Sequence, residues 1–185
     1  MLKKFKVLNN KISSHIIILG YMGCGKSSIA NLLSKKINIP HIDLDNEIEK
    51  IKKSKISEIY NSIGEIKFRN IEKKTLINVL KSKKVSIISL GGGTPCYFDN
   101  MNLINSITQN VFFINCKVET LVERLFNEKN QRPIISHIES KEKMSEFISK
   151  HIFERINYYN KARIKIDADK KNLIEICNEI TKVFN

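Results

Sequence analysis

Apolar residues along this chain cluster into short β-rich runs that alternate with stretches of helical period. Ile16 to Leu19, Ile39 to Asp43, Val85 to Leu90, Val111 to Ile114 and Arg163 to Ile166 read as strands. Between them, apolar positions three and four apart predict helices over Ser27 to Ile37, Ile71 to Leu80 and Leu173 to Val183. Strands and helices in alternation imply a parallel sheet wrapped by helices. The stretch from Phe126 to Lys143 carries no apolar period and is charge-dense, with a single Arg132-Pro133 step. It is expected to be a mobile excursion that covers a site and keeps water out.

At 185 residues the chain suits one α/β domain with a sizeable core and is too short for two ordinary ones. No run approaches the roughly 18 apolar residues that a membrane span needs. Lys3 to Lys11 is expected to lead into the first strand, because the apolar run after it continues into a glycine-rich loop and not a small-residue cleavage site. Cys24, Cys96, Cys116 and Cys177 form no C-x-x-C pair, so neither a zinc site nor a disulfide framework is indicated, and a reducing cytoplasm is expected. The formal charge of +13 is compatible with nucleic acid, an acidic membrane surface or small anions. Lysine is spread over nearly every segment, however, so neither a nucleic-acid nor a membrane partner is expected.

Chemistry enters at Gly20-Tyr21-Met22-Gly23-Cys24-Gly25-Lys26-Ser27, which fits G-x-x-x-x-G-K-[ST] directly after the first strand. Glycines there let consecutive N–H groups turn inward on phosphate oxygens, and the helix that follows aims its positive end at them. Gly23, Cys24, Gly25, Lys26, Ser27 and Ser28 are therefore expected to bind a nucleoside triphosphate, which the resemblance given below makes ATP. Lys26 supplies the cation and Ser27 a hydroxyl for Mg²⁺. Cys24, beside Lys26 at a helix N-terminus, has the setting for some thiolate character.

Asp43 and Asp45 end the second strand-like run, at the edge where α/β sites form, placed to share metal and hydroxyl duties. Alternatively, Asp45 caps the helix starting at Asn46. Arg69 and Glu72 fall on one helix face, where Glu72 is placed to hold a guanidinium fork aimed at a carboxylate or phosphate. An ordinary surface pair of Glu65 with Arg69 is the other reading. Gly91-Gly92-Gly93 follows a strand and offers main chain to a small ligand, or simply makes a tight connection. Arg132 and Arg155 are isolated arginines, each of which taken alone reads as a solvated surface charge.

Taken together and in this order, these segments resemble the shikimate kinase family from about Ile16 to about Val183. The motifs that carry the resemblance are Gly20 to Ser27, Asp43-Leu44-Asp45, Gly64-Glu65 with Phe68-Arg69 and Glu72, the triple glycine, Arg132-Pro133, and Arg155 ahead of Tyr159. The resemblance implies a three-layer α/β/α kinase with a five-stranded parallel sheet of order 2-3-1-4-5. The whole of 1–185 would be one domain, with a substrate-binding segment at about 45–72 and a lid at about 124–143. It implies transfer of the ATP γ-phosphate to the 3-hydroxyl of shikimate, with Mg²⁺ as cofactor, by a monomer.

In that scheme Arg69 and Arg155 clamp the shikimate carboxylate, and Asp45 holds or deprotonates the hydroxyl. Gly91, Gly92 and Gly93 border the ring, Asp43 and Ser27 act on the metal, Arg132 swings onto the phosphates and Arg124 lies towards the adenine. Three departures are visible. Ile134-Ile135 stands where the family has two leucines, the proline that often follows the last arginine is replaced in Arg155-Ile156-Asn157-Tyr158-Tyr159, and the adenine-side proline is absent in the region of Asn172-Leu173. A related kinase acting on gluconate or a nucleoside monophosphate, or a nucleotide-binding regulator without turnover, are the competing readings. Of these, Asp45 beside Arg69 suits a hydroxylated carboxylic acid better than a nucleoside monophosphate.

Overall fold

The first strand, β1 (Ile16–Leu19), is wholly buried along its length, as a continuous Ile-Ile-Ile-Leu run demands when helices cover both faces of a sheet. The computed structural model describes residues 12–129, 132 and 134–184. Lys3 to Lys11 and Pro133 of the sequence reading lie outside the described residues. The other strands are β2 (His41–Asp43), β3 (Ile87–Ser89), β4 (Val111–Asn115) and β5 (Ile164–Asp167). All pair in parallel in the order β2-β3-β1-β4-β5, with Ile17 of β1 opposite Ile88 on one side and Val111 on the other. The edge strand β5 alternates exposed and buried positions, which is the pattern of a strand covered on one face only.

The helices are α1 (Lys26–Ile37), α2 (Leu44–Lys52), α3 (Ile56–Ile63), α4 (Glu65–Leu80), α5 (Asn100–Ile107), α6 (Val118–Glu128), α7 (Lys141–Phe153), α8 (Ile156–Tyr159) and α9 (Leu173–Lys182). They lie on both faces of the sheet, so the architecture is the three-layer one implied by the sequence. The chain leaves the carboxyl ends of β1, β2 and β3 at Gly20, Asp43 and Leu90, and a site assembles along that edge.

Element boundaries depart from the apolar pattern for definable reasons. Helix α4 begins at Glu65, six residues before the periodic signal at Ile71, because Arg69, Glu72 and Thr75 occupy buried positions where apolar residues would have marked the core face. Strand β2 starts after Ile39 because Pro40 has no N–H to donate; its carbonyl instead accepts from Ile87. The expected excursion from Phe126 to Lys143 is shorter than the pattern suggests. Helix α6 runs on to Glu128, while Ser140 caps α7 by accepting from the Lys143 amide at 3.3 Å. Within the proposed lid segment 124–143, only the part between Glu128 and Lys141 is outside these two helices.

Candidate active site

The phosphate loop joins β1 to α1 with three glycines at positive φ: Gly20 at 147°, Gly23 at 78° and Gly25 at 92°. Gly20 is also a close approach, since a Cβ there would lie 2.5 Å from the Ile114 carbonyl oxygen. Gly25 caps α1 without a side chain, leaving the first amides of that helix facing a cavity of about 270 Å³. Gly23, Gly25, Lys26, Ser27 and Ser28 line it from the loop side, with Asp43, Asp45 and Arg132 opposite. Lys26 Nζ donates to the Tyr21 carbonyl at 3.0 Å. Cys24 departs from expectation. Its side chain is 2% exposed and packed in the core, outside the lining of the phosphate cavity, and its amide donates to the Tyr21 carbonyl at 3.3 Å.

Asp43, at the end of β2, is the N-cap of α2, with Oδ1 accepting from the Asn46 amide at 3.2 Å. This corrects the alternative in which Asp45 caps that helix; Asp45 lies inside its first turn. Asp43 Oδ2 accepts from Ser27 Oγ at 2.6 Å and from Ser89 Oγ at 2.7 Å. Burial opposes ionisation of Asp43, but these hydroxyls and the Asn46 amide outweigh it and hold the carboxyl below the usual carboxylate range. With the Ser89 proton given to Asp43, the His41 Nε2 at 2.9 Å must be the donor to Ser89.

Asp45 is the opposite case. Burial first, then the negative charges of Asp43 and Glu72, raise its pKa to about 6 against the pull of Lys26 and Arg69. Two neighbouring carboxylates are thus pushed apart, one firmly ionised and one poised near neutrality, a pattern that marks acid–base assignments.

Asp45 also lines a second cleft of about 150 Å³, together with Arg69, Arg155, His151 and Gly91 to Gly93. Arg69 is buried here on α4. Its Nη1 donates to Glu72 Oε2 at 2.9 Å, its Nη2 lies 3.6 Å from Glu65, and its guanidinium sits over the Tyr97 ring at 4.2 Å. Arg69 thus meets both carboxylates, the Glu72 pair being the short and buried one, and its burial is not that of an ordinary surface pair. Thr94 Oγ1 donates to the other Glu72 oxygen at 2.7 Å, so Glu72 is fixed at both oxygens. The Arg69 Nε is buried with no acceptor among the described residues.

The triple glycine serves these side chains. A Cβ on Gly91 would lie 2.8 Å from Asp45 Oδ1, and one on Gly93 would lie 2.6 Å from Arg69 Nη2. Neither residue has a positive φ, so room for the site residues, and not a strained turn, explains them. Gly92 would meet the Met22 amide nitrogen at 3.3 Å, and its carbonyl accepts from Tyr159 at 2.7 Å.

Arg132 lines the phosphate cavity and pairs with Glu128, one helical turn earlier, at 2.8 Å. Arg124 Nη1 donates to the Gly23 carbonyl at 3.2 Å and is not among the residues lining the phosphate cavity. Arg155 lies in the wall of the acceptor cleft, at the start of α8. Every candidate except Cys24 and Arg124 therefore faces one or other cavity. Sequence reasoning passed over His41, Ser89, Tyr21 and His151. Tyr21 donates to, or accepts from, His151 at 2.8 Å across 130 positions of chain, a pairing that no local pattern signals.

Among the described residues no group of three or more His, Cys, Asp or Glu side chains could hold a metal, and no helix is long and apolar enough to cross a membrane. The four cysteines are unpaired.

With this geometry in hand, the comparisons agree with one another. The family model for shikimate kinase matches residues 22–185. Shikimate kinase of Flavobacterium johnsoniae is 42% identical over 169 residues, covering 91% of this chain and 98% of that protein. The solved shikimate kinase from Bacteroides thetaiotaomicron superposes with a TM-score of 0.84 at 30% identity, over 92% of this chain and 97% of that one. The enzyme from Aquifex aeolicus gives a TM-score of 0.74, again at 30% identity, over 91% and 94%.

Proposed function

The chain belongs to the shikimate kinase family, and from that premise we propose that it transfers the γ-phosphate of ATP to the 3-hydroxyl of shikimate, giving shikimate 3-phosphate and ADP. It is an ATP-dependent small-molecule kinase. The observation that carries the reading is that the phosphate cavity and the acceptor cleft share Asp45, Gly91 and Gly92 as a common wall. A phosphoryl donor on one side and a hydroxyl on the other meet at the one carboxylate held near neutrality.

The loop amides, Lys26 and the N-terminus of α1 hold the triphosphate. Arg69 and Arg155 clamp the acceptor carboxylate, which fixes the ring and turns its hydroxyl towards Asp45. The hydroxyl oxygen attacks the γ-phosphorus, its proton passes to the Asp45 carboxylate, and the bond from phosphorus to the β,γ-bridging oxygen breaks with its electron pair leaving on ADP. A pKa of about 6 leaves Asp45 mostly ionised at neutral pH and still a competent proton acceptor. Arg132 leaves Glu128 to meet the charge that develops on the transferred group.

The residues present suit Mg²⁺. Ser27 Oγ and Asp43 are hard oxygen donors on the wall of the phosphate cavity, and Asp43 is already engaged by two hydroxyls and an amide, which suits contact through water. When bound, the ion offsets charge on the β- and γ-phosphates. We place the enzyme in the cytoplasm, where unpaired cysteines are stable, and as a monomer, because one chain supplies the walls of both cavities.

A coupled ADP-release assay with Mg·ATP, comparing shikimate with gluconate, nucleoside monophosphates and no acceptor, tests the reading. Turnover dependent on shikimate supports it. Turnover only with another acceptor would keep the kinase and overturn the substrate.

A further inference from the structure

One polar group in the wall of the acceptor cleft takes no part in the phosphoryl transfer itself: the imidazole of His151, near the end of α7. It is held from two sides. Its Nδ1 lies 2.8 Å from the Tyr21 hydroxyl, with the two rings edge to face at 5.6 Å, and Phe147 packs against it at 5.2 Å. Tyr21 belongs to the phosphate loop and is 4% exposed.

The tautomer follows from counting protons. Among the described residues the Tyr21 hydroxyl has no other hydrogen-bond neighbour, and burial holds its pKa far above the usual phenol value, so its proton stays and is donated to Nδ1. Burial, then the charges of Arg155 and Arg69 against an opposing Glu65, push the imidazole down to about 4. Among the described residues these groups, with Tyr21 from the loop, are the charged and titratable ones that act on the imidazole. The ring is neutral at physiological pH, and its one N–H is on Nε2. That N–H has no acceptor among the described residues, while the ring shares the cleft with both arginines.

We propose that His151 binds the acceptor's carboxylate through Nε2–H, as a third, uncharged donor beside Arg69 and Arg155, with Tyr21 fixing the tautomer that makes it a donor. A neutral donor adds a hydrogen bond where a third cation would be repelled by the two guanidinium groups. The inference rests on reading the cleft as the shikimate site.

The test compares full-length wild type with His151→Leu, His151→Gln and Tyr21→Phe, each first shown to fold by thermal melting. Steady-state kinetics and calorimetric titration with shikimate are the readouts, with long-range ¹H–¹⁵N spectra for the tautomer. His151→Leu should raise both the shikimate KM and Kd about tenfold to a hundredfold, the worth of one hydrogen bond to a charged group, and leave the ATP KM near wild type. His151→Gln keeps an N–H and should recover most of that loss. In wild type the spectra should report Nε2–H, with that proton moving downfield on addition of shikimate, and Tyr21→Phe should mix the tautomers. Unchanged shikimate affinity in His151→Leu overturns the proposal. Equal losses in the Leu and Gln variants also overturn it, since they would mean packing alone. A wild-type enzyme that fails to phosphorylate shikimate overturns the reading of the cleft, and this inference with it.

Discussion

Gly93 stands where any side chain would collide with Arg69: a Cβ there would lie 2.6 Å from Nη2, although the backbone at φ −89° and ψ −21° is ordinary right-handed geometry. The glycine is needed for the arginine and not for the turn. Gly93→Ala should therefore fold, because a guanidinium can swing aside, but swinging aside breaks its register with Glu72 and the Tyr97 ring. The expected result is a shikimate KM raised about tenfold or more with the ATP KM unchanged, the same signature as Arg69→Lys, which loses the bidentate fork directly. Steady-state kinetics against each substrate decide it. An unchanged shikimate KM in Gly93→Ala would mean the guanidinium has slack that the packing does not suggest.

The same pair shows what could be read from the sequence. Motifs dictated by backbone geometry were legible: Gly20, Gly23 and Gly25 at positive φ are needed by the loop whatever surrounds it. Arg69 and Glu72 were legible as neighbours three apart on a helix, though the helix start at Glu65 was hidden because those very residues interrupt the apolar period. Contacts that depend on tertiary placement were not legible. His41 meets Ser89 at a distance of 48 residues and Tyr21 meets His151 at 130, so no window on the sequence contains either pair. Cys24 turned inward for a similar reason: the direction of a loop side chain is set by what lies beneath it, and not by its neighbours in the chain.

Arg132 is paired with Glu128 through groups that are 37% and 50% exposed. Such a pair contributes only about 0.2–1 kcal/mol, so leaving it for a phosphate costs little. Arg132→Ala should lower kcat about 10²- to 10³-fold, because its partner charge develops only during transfer. The shikimate KM should stay within about twofold of wild type, since Arg132 is absent from the lining of the acceptor cleft. Measuring kcat and both KM values separates this from an acceptor-binding role, which would move the shikimate KM instead.

Asp45 gives a pH signature as well as a rate effect. Its pKa of about 6 should appear as the acid limb of kcat/KM for shikimate, activity rising with pH as the carboxylate ionises. Asp45→Asn should lower kcat about 10²- to 10⁴-fold and remove that limb from whatever activity is left, with ATP binding by calorimetry close to wild type. Lost ATP affinity with surviving turnover would contradict a proton-accepting or hydroxyl-orienting Asp45.

The raised pKa also fixes the sign of a stability effect. Asp45 moves from 3.8 to about 6 on folding. Below the lower value both states are protonated. Between the two, the folded protein keeps a proton that the unfolded chain has released, so stability falls as pH rises through that window and stays lower above it. His151, pushed from 6.5 down to about 4, runs the other way and loses stability as pH falls through nearly the same range. The two oppose each other in the wild-type profile, so only a difference between variants isolates either. Asp45→Asn should be more stable than wild type by about 1–3 kcal/mol near pH 7.5, with the gain vanishing towards about pH 4. Denaturant melts of both proteins at the two pH values measure it. A variant less stable than wild type near neutrality would mean that the Asp45 carboxylate is held by favourable contacts, and its strained ionisation could not then be the source of its reactivity.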